Sequence, residues 1–93
     1  MRAEATIRPV PRGLTHQSVA RAFGTLLRSR RLEAKLTQYE LAHLSGIDVS
    51  FLSRMERGLT QPSIGTFLHL ARVLDTNPAD WVQQLAQLNG IGK

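Results

Sequence analysis

Arg54 and Arg57 sit three residues apart at the end of the run Val49-Ser50-Phe51-Leu52-Ser53-Arg54-Met55-Glu56-Arg57. Wound as a helix, this run puts Leu52 and Met55 on one side and Val49, Ser50, Ser53, Arg54 and Arg57 toward the other. The outer side is short and polar at its leading end and carries guanidinium groups at its trailing end. A guanidinium offers parallel N–H donors that match paired acceptors, and a hydroxyl can donate or accept. That inventory suits hydrogen bonding to base-pair edges and phosphate oxygens, with nothing bulky or acidic at the leading end to hold the run out of a groove. Covalent chemistry has no comparable support. Cysteine is absent, and His16, His43 and His69 lie on separate segments without metal-ligand spacing. The serines come with neither a nucleophile motif nor a glycine-rich phosphate loop. No enzyme activity, metal or cofactor is expected.

The segments before the run must hold it in place. Thr37 is a good N-cap, because its hydroxyl can accept from an orphan amide of the first turn, and Glu40 completes a capping box. Leu41, Ala42 and Leu44 then offer a short apolar face. Gly46 can enter the left-handed conformation that stops a helix, and Asp48 is the next N-cap candidate. Gly58 ends the second helix. Residues 37–58 therefore predict two short helices joined by a tight turn.

The residues around this unit carry a resemblance. From about Phe23 to Leu74 the chain reads F-G-x-L-L-R-x-x-R, L-T-Q-x-E-L-A, S-G-I-D, F-L-S-R-M-E-R-G and Q-P-S-x-x-T-F-L-x-L-A-x-x-L in order. It resembles the Cro and phage-repressor group of helix-turn-helix DNA-binding domains, the xenobiotic-response-element type. The resemblance implies an all-α, lambda-repressor-like DNA-binding domain. It also implies a transcriptional regulator, a repressor, that reads a near-palindromic double-stranded operator through the major groove as a homodimer. Two alternatives stay open: an antitoxin that holds a toxin and autoregulates, and the controller protein of a restriction-modification operon.

Carried over residue by residue, the resemblance gives Val49, Ser50, Ser53 and Arg54 the base-facing positions, with Arg54 the best match to guanine O6 and N7. Val49 departs from the glutamine many relatives carry and leaves only apolar contact, such as with a thymine methyl. Thr37, Gln38, Arg57, Thr60, Gln61 and Ser63 are the phosphate-contacting candidates, although Thr60 and Ser63 could equally serve turn and cap geometry. Arg31 aligns with an arginine that pairs with the acid near the end of the recognition helix, which is Glu56 here. Glu56 is thus scaffold, since an unpaired carboxylate there would repel phosphate.

Composition agrees with such a partner. Twelve Lys and Arg against seven Asp and Glu leave +5 at pH 7 in 93 residues, enough chain for one domain with a modest core. No signal-peptide or membrane-span stretch is evident, and a cytoplasmic, nucleoid-associated place is expected without membrane contact.

Around the central unit the sequence predicts a compact bundle of about five helices within a domain spanning 15–93. Residues 1–14, with Pro9, Pro11, Gly13 and three arginines, read as a flexible basic arm or as an ordinary frayed terminus. Thr15 or Ser18 caps a first helix to about Ala34, with Val19, Phe23, Leu26 and Leu27 inward and Gly24 expected at a close helix contact. Arg28, Arg30 and Lys35 read as a solvated face. Ser63 caps a fourth helix whose core side is Ile64, Phe67, Leu68, Ala71 and Leu74. Asn77, Pro78 and Asp80 open a fifth. Its apolar side, Trp81, Val82, Leu85 and Leu88, either covers its own core or forms a two-fold dimer seam from Trp81, Leu85 and Leu88.

Overall fold

A computed structural model describes residues 15–91. Five helices follow one another, α1 (His16–Glu33), α2 (Gln38–Ser45), α3 (Val49–Glu56), α4 (Ile64–Val73) and α5 (Pro78–Leu88), with no strand among the described residues. The arm proposed for residues 1–14 lies outside them.

Local chemistry sets the helix starts. Thr15 and Ser18 form a reciprocal capping box on α1, and Thr37 and Glu40 form another on α2. Ser63 accepts from the Thr66 amide to open α4, and Asn77 with Pro78 at the first helical position opens α5. The helix ends share one device, a residue in left-handed conformation. Gly46, Gly58 and Gly90 take that position after α2, α3 and α5, but Lys35 (φ 61°) and Asp75 (φ 55°) take it after α1 and α4. At each of those two ends the next amide reaches back to the helix, Leu36 to the Arg31 carbonyl at 3.2 Å and Thr76 to the Ala71 carbonyl at 2.9 Å.

The core is built from one stripe on each helix. Phe23 and Leu27 of α1, Leu41 of α2, Leu52 and Met55 of α3, Phe67 and Leu70 of α4, and Trp81 of α5 are buried together. Phe23, Phe67 and Trp81 form an aromatic trio with ring centroids 5.5 to 5.9 Å apart. The Trp81 indole N–H donates to Thr76 Oγ1 at 2.7 Å, so its polar edge is satisfied inside the fold. Gly24 is where α1 meets α3. A Cβ there would collide with the Met55 carbonyl oxygen and lie 2.8 Å from that of Glu56, so only glycine permits this approach.

Several expectations need correction. Trp81 has no exposed surface, so it cannot line a dimer seam; it covers its own domain's core, while Leu88 is 60 % exposed. On α4 the buried stripe is Phe67, Leu70, Ala71 and Leu74, not the stripe starting at Ile64, which is 74 % exposed, and including Leu68, which is also exposed. Leu70 keeps the same three- and four-residue spacing one face further round, and that face meets Trp81 and the other helices. On α2 the buried pair is Leu41 and Ser45 while Leu44 faces out. There His69 Nε2 lies 2.7 Å from the Ser45 carbonyl, so that nitrogen carries the proton and ties α4 to the end of α2. Arg30 is not part of a solvated face either. Its guanidinium lies 5.4 Å from the Trp81 ring centroid and donates to Gln84 Oε1 at 2.8 Å, clamping α1 to α5.

Candidate nucleic-acid interface

The turn Gly46-Ile47-Asp48 sets α3 against the bundle through Leu52 and Met55, which have no exposed surface. Anchoring by that stripe leaves Ser50, Arg54 and Arg57 exposed, with Val49 and Ser53 half-buried beside them. All four base-facing candidates and Arg57 therefore share one surface. The phosphate-facing candidates Thr37 and Gln38 flank it at the start of α2, while Thr60, Gln61 and Ser63 follow it in the connection to α4.

The end of α3 is fixed by a buried ion pair. Arg31 Nε donates to Glu56 Oε2 at 2.6 Å and Arg31 Nη2 to Glu56 Oε1 at 2.9 Å, with the side chains only 7 % and 3 % exposed. Arg31 Nη1 also donates to the Leu36 carbonyl at 2.8 Å, and Gln38 Nε2 donates to Glu56 Oε1 at 3.0 Å. One carboxylate thus ties α3 to α1 and α2. Burial pushes the Glu56 carboxyl up, but the hydrogen bonds from Arg31 and Gln38 and the adjacent positive charge outweigh it and hold it below its ordinary value. Donating to the Glu56 carboxylate in turn raises Arg31 above its ordinary value.

The leading end of α3 differs from the expectation. Asp48 occupies the N-cap position, but its carboxylate makes no cap hydrogen bond to an amide; Ser50 Oγ donates to Asp48 Oδ2 at 2.6 Å instead. That bond chiefly, helped by the nearby Arg54 charge, holds the Asp48 carboxyl below its ordinary value. An exposed acid therefore stands at the leading end expected to be free of acids, and it engages the hydroxyl of one base-facing candidate.

The three arginines of this region have different surroundings. Arg31 spends its donors within the fold. Arg57 Nε is shared between the Ser53 carbonyl and Ser53 Oγ, both at 3.3 Å. Arg54 instead has its guanidinium carbon 5.8 Å from the Phe51 ring centroid.

Four of the phosphate-facing candidates also join parts of the fold, Gln38 through its bond to Glu56 and three others as follows. Thr37 and Ser63 cap α2 and α4, as read from the sequence for the caps. Gln61 Nε2 donates to the His16 carbonyl at 3.1 Å, fastening the loop after α3 to the start of α1. Sequence reasoning missed this contact, the Gln38 bond to Glu56, and the Ser18 Oγ bond to Asn89 Oδ1 at 2.8 Å. None has a local signature, because each joins residues distant in the chain. Among the described residues no cluster of His, Asp or Glu could hold a metal ion, and no helix is long and apolar enough to cross a membrane.

Comparison with known proteins agrees with this architecture. A helix-turn-helix family model, HTH_3, matches residues 27–81, more than half of the chain. An uncharacterised HTH-type transcriptional regulator of Sinorhizobium fredii, y4dL, is 41 % identical over 49 residues, which make up 53 % of this chain and 25 % of that protein. An uncharacterised HTH-type transcriptional regulator of Mycobacterium tuberculosis, Rv0474, is 38 % identical over 51 residues, 55 % of this chain and 36 % of that one. The chain thus spans only a quarter to about a third of the curated relatives it matches. Among solved structures, the restriction-modification controller protein C.AhdI of Aeromonas hydrophila superposes with a TM-score of 0.63 at 39 % identity, covering 67 % of this chain and 94 % of that one. The clp gene regulator ClgR of Corynebacterium glutamicum superposes with a TM-score of 0.71 at 27 % identity, covering 90 % of this chain and 100 % of that one. With the α2–turn–α3 unit, its packed inner stripe and its exposed polar face inside the matched span, the chain belongs to the helix-turn-helix family.

Proposed function

We propose that this chain is a sequence-specific, double-stranded-DNA-binding transcriptional regulator that inserts α3 into the major groove and represses transcription. The observation that carries this reading is the division of α3 itself. Leu52 and Met55 lock one side into the core, Arg31 neutralises Glu56, and Ser50 and Arg54 are left exposed on the other side. Val49, Ser50, Ser53 and Arg54 face base edges, with Arg54 aimed at a guanine. Arg57, Thr60 and the starts of α2 and α4, at Thr37, Gln38 and Ser63, face phosphates, where unpaired helix amides suit an anion. The +5 net charge adds a sequence-independent attraction.

The protein acts by binding alone, without catalysis, in the cytoplasm and on the nucleoid. It binds a near-palindromic operator as a homodimer, which sets two α3 helices about 34 Å apart along one face of B-DNA. The seam uses the outer side of α5, where Val82 and Leu85 share a groove with the exposed Ile64 at the start of α4 and the exposed Leu88 follows one turn on. Control of a restriction-modification operon is a second reading, favoured by the likeness to C.AhdI over 94 % of that protein. Selection of bound sequences from a random DNA pool tests the proposal. Enrichment of a two-fold-symmetric site supports it, and a pool that stays random refutes it.

A further inference from the structure

The two exposed guanidinium groups at the end of α3, Arg54 in its last turn and Arg57 at its C-cap, are held in different ways. Arg57 is fastened through its Nε to its own helix at Ser53, whereas Arg54 lies over the face of Phe51 with its guanidinium carbon 5.8 Å from the ring centroid. Residues three apart on a helix are surface neighbours, so this contact follows from the sequence spacing once the helix forms. Phe51 is half-buried and packs against the core, which holds its ring in place. A ring face attracts a guanidinium without occupying its N–H groups, which point outward in the plane of the fork. A carboxylate partner does the opposite: Glu56 consumes two donors of Arg31. Guanine O6 and N7 need two parallel donors at once, so an arginine that is oriented and still unspent is the form that reads them at least entropic cost.

We infer that Phe51 is the positioning residue for Arg54: its ring fixes the guanidinium plane before DNA arrives and so sets how strongly Arg54 discriminates guanine from other bases. The inference rests on the reading of Arg54 as a base-facing residue. Phe51 makes its contribution through the arginine and touches no base.

The test measures affinity for the selected operator and for operators changed at the base pair whose preference Arg54→Ala relaxes. Phe51→Leu keeps the apolar packing and removes the ring, and it should lose about two- to fivefold on the selected operator, the worth of an exposed cation–π contact. It should lose nothing on operators already changed at that base pair. Phe51→Tyr keeps a ring and should bind as the wild type does, and Phe51→Leu should have no further effect in an Arg54→Ala background. Equal affinity of Phe51→Leu and wild type overturns the inference, as does an equal loss in Phe51→Tyr or a loss that persists without Arg54. If Phe51→Leu does not fold, Phe51→Met supplies a ring-free side chain under the same criteria. Arg54→Ala alone separates the two levels. If it relaxes no base pair, the base-facing reading of Arg54 falls and takes the inference with it; if it does and the Phe51 variants are silent, only the inference falls.

Discussion

The Arg31 guanidinium grips the Glu56 carboxylate through two hydrogen bonds of 2.6 and 2.9 Å, joining the last turn of α1 to the last residue of α3. Both side chains are nearly shut off from solvent, and Gln38 adds a third bond to the same carboxylate. Removing one partner strands the other charge in the interior, which costs roughly 3–5 kcal/mol. Glu56→Ala is therefore expected to lower the melting temperature and DNA affinity together. Lost binding at an unchanged melting temperature would show that Glu56 is not scaffold.

The same pair gives a pH dependence. The Glu56 carboxyl is held below its ordinary value, so its contribution to stability is complete above the ordinary glutamate range and is lost as pH falls through the lower value of the folded state. Denaturant unfolding of wild type across the acid range should show stability falling toward low pH. Glu56→Gln should start lower at neutral pH and fall less; parallel curves would contradict the assignment.

Gly24→Ala tests the contact between α1 and α3. Alanine is the better helix former by about 1 kcal/mol, but its methyl would strike the Met55 and Glu56 carbonyls, which are backbone and cannot swing away. Overpacking of this kind costs about 1–3 kcal/mol. Urea unfolding should find the variant less stable, and a gain in stability would mean the two helices are further apart than described.

Lys35 offers the opposite outcome. It holds a left-handed conformation after α1 that costs an L-residue about 1–2 kcal/mol, while its side chain is exposed. Lys35→Gly relieves this strain and loses part of the gain to the greater freedom of the unfolded chain, leaving about 0.5–1 kcal/mol of stabilisation by urea unfolding. A destabilised variant would show that the Lys35 side chain matters to the fold.

These positions also show what was legible in the sequence. The caps of α2 and α5, the stop at Gly46 and the tight approach at Gly24 could be read because each is set within a few residues or by a residue with one distinctive property. The side of α4 that turns inward could not. Ile64, Leu68 and Leu70 all fit a helical stripe, and only the position of Trp81 and its aromatic neighbours decides among them. Arg30 looked like one more surface charge because its partners, Trp81 and Gln84, lie more than fifty residues on. Asp48 was legible as an N-cap position, yet the choice of Ser50 over an amide as its partner depends on side-chain geometry.

Arg54 and Arg57 should separate specificity from affinity. Arg54→Ala should cost about 1–3 kcal/mol on the selected operator and relax preference at one base pair. Arg57→Ala should weaken binding to every sequence and reduce the salt slope by about 1, in line with one lost phosphate contact. Identical behaviour of the two variants across a panel of altered operators would erase the distinction between base-facing and phosphate-facing residues.

The most direct measurement is a fluorescence-anisotropy titration of the protein with its selected operator and with a scrambled duplex of equal length and composition, at one near-physiological salt concentration. With α3 reading base edges, the selected duplex binds at least about a thousandfold more tightly. Equal affinities would contradict the account, because charge would then explain all of the binding and the exposed face of α3 none of its choice.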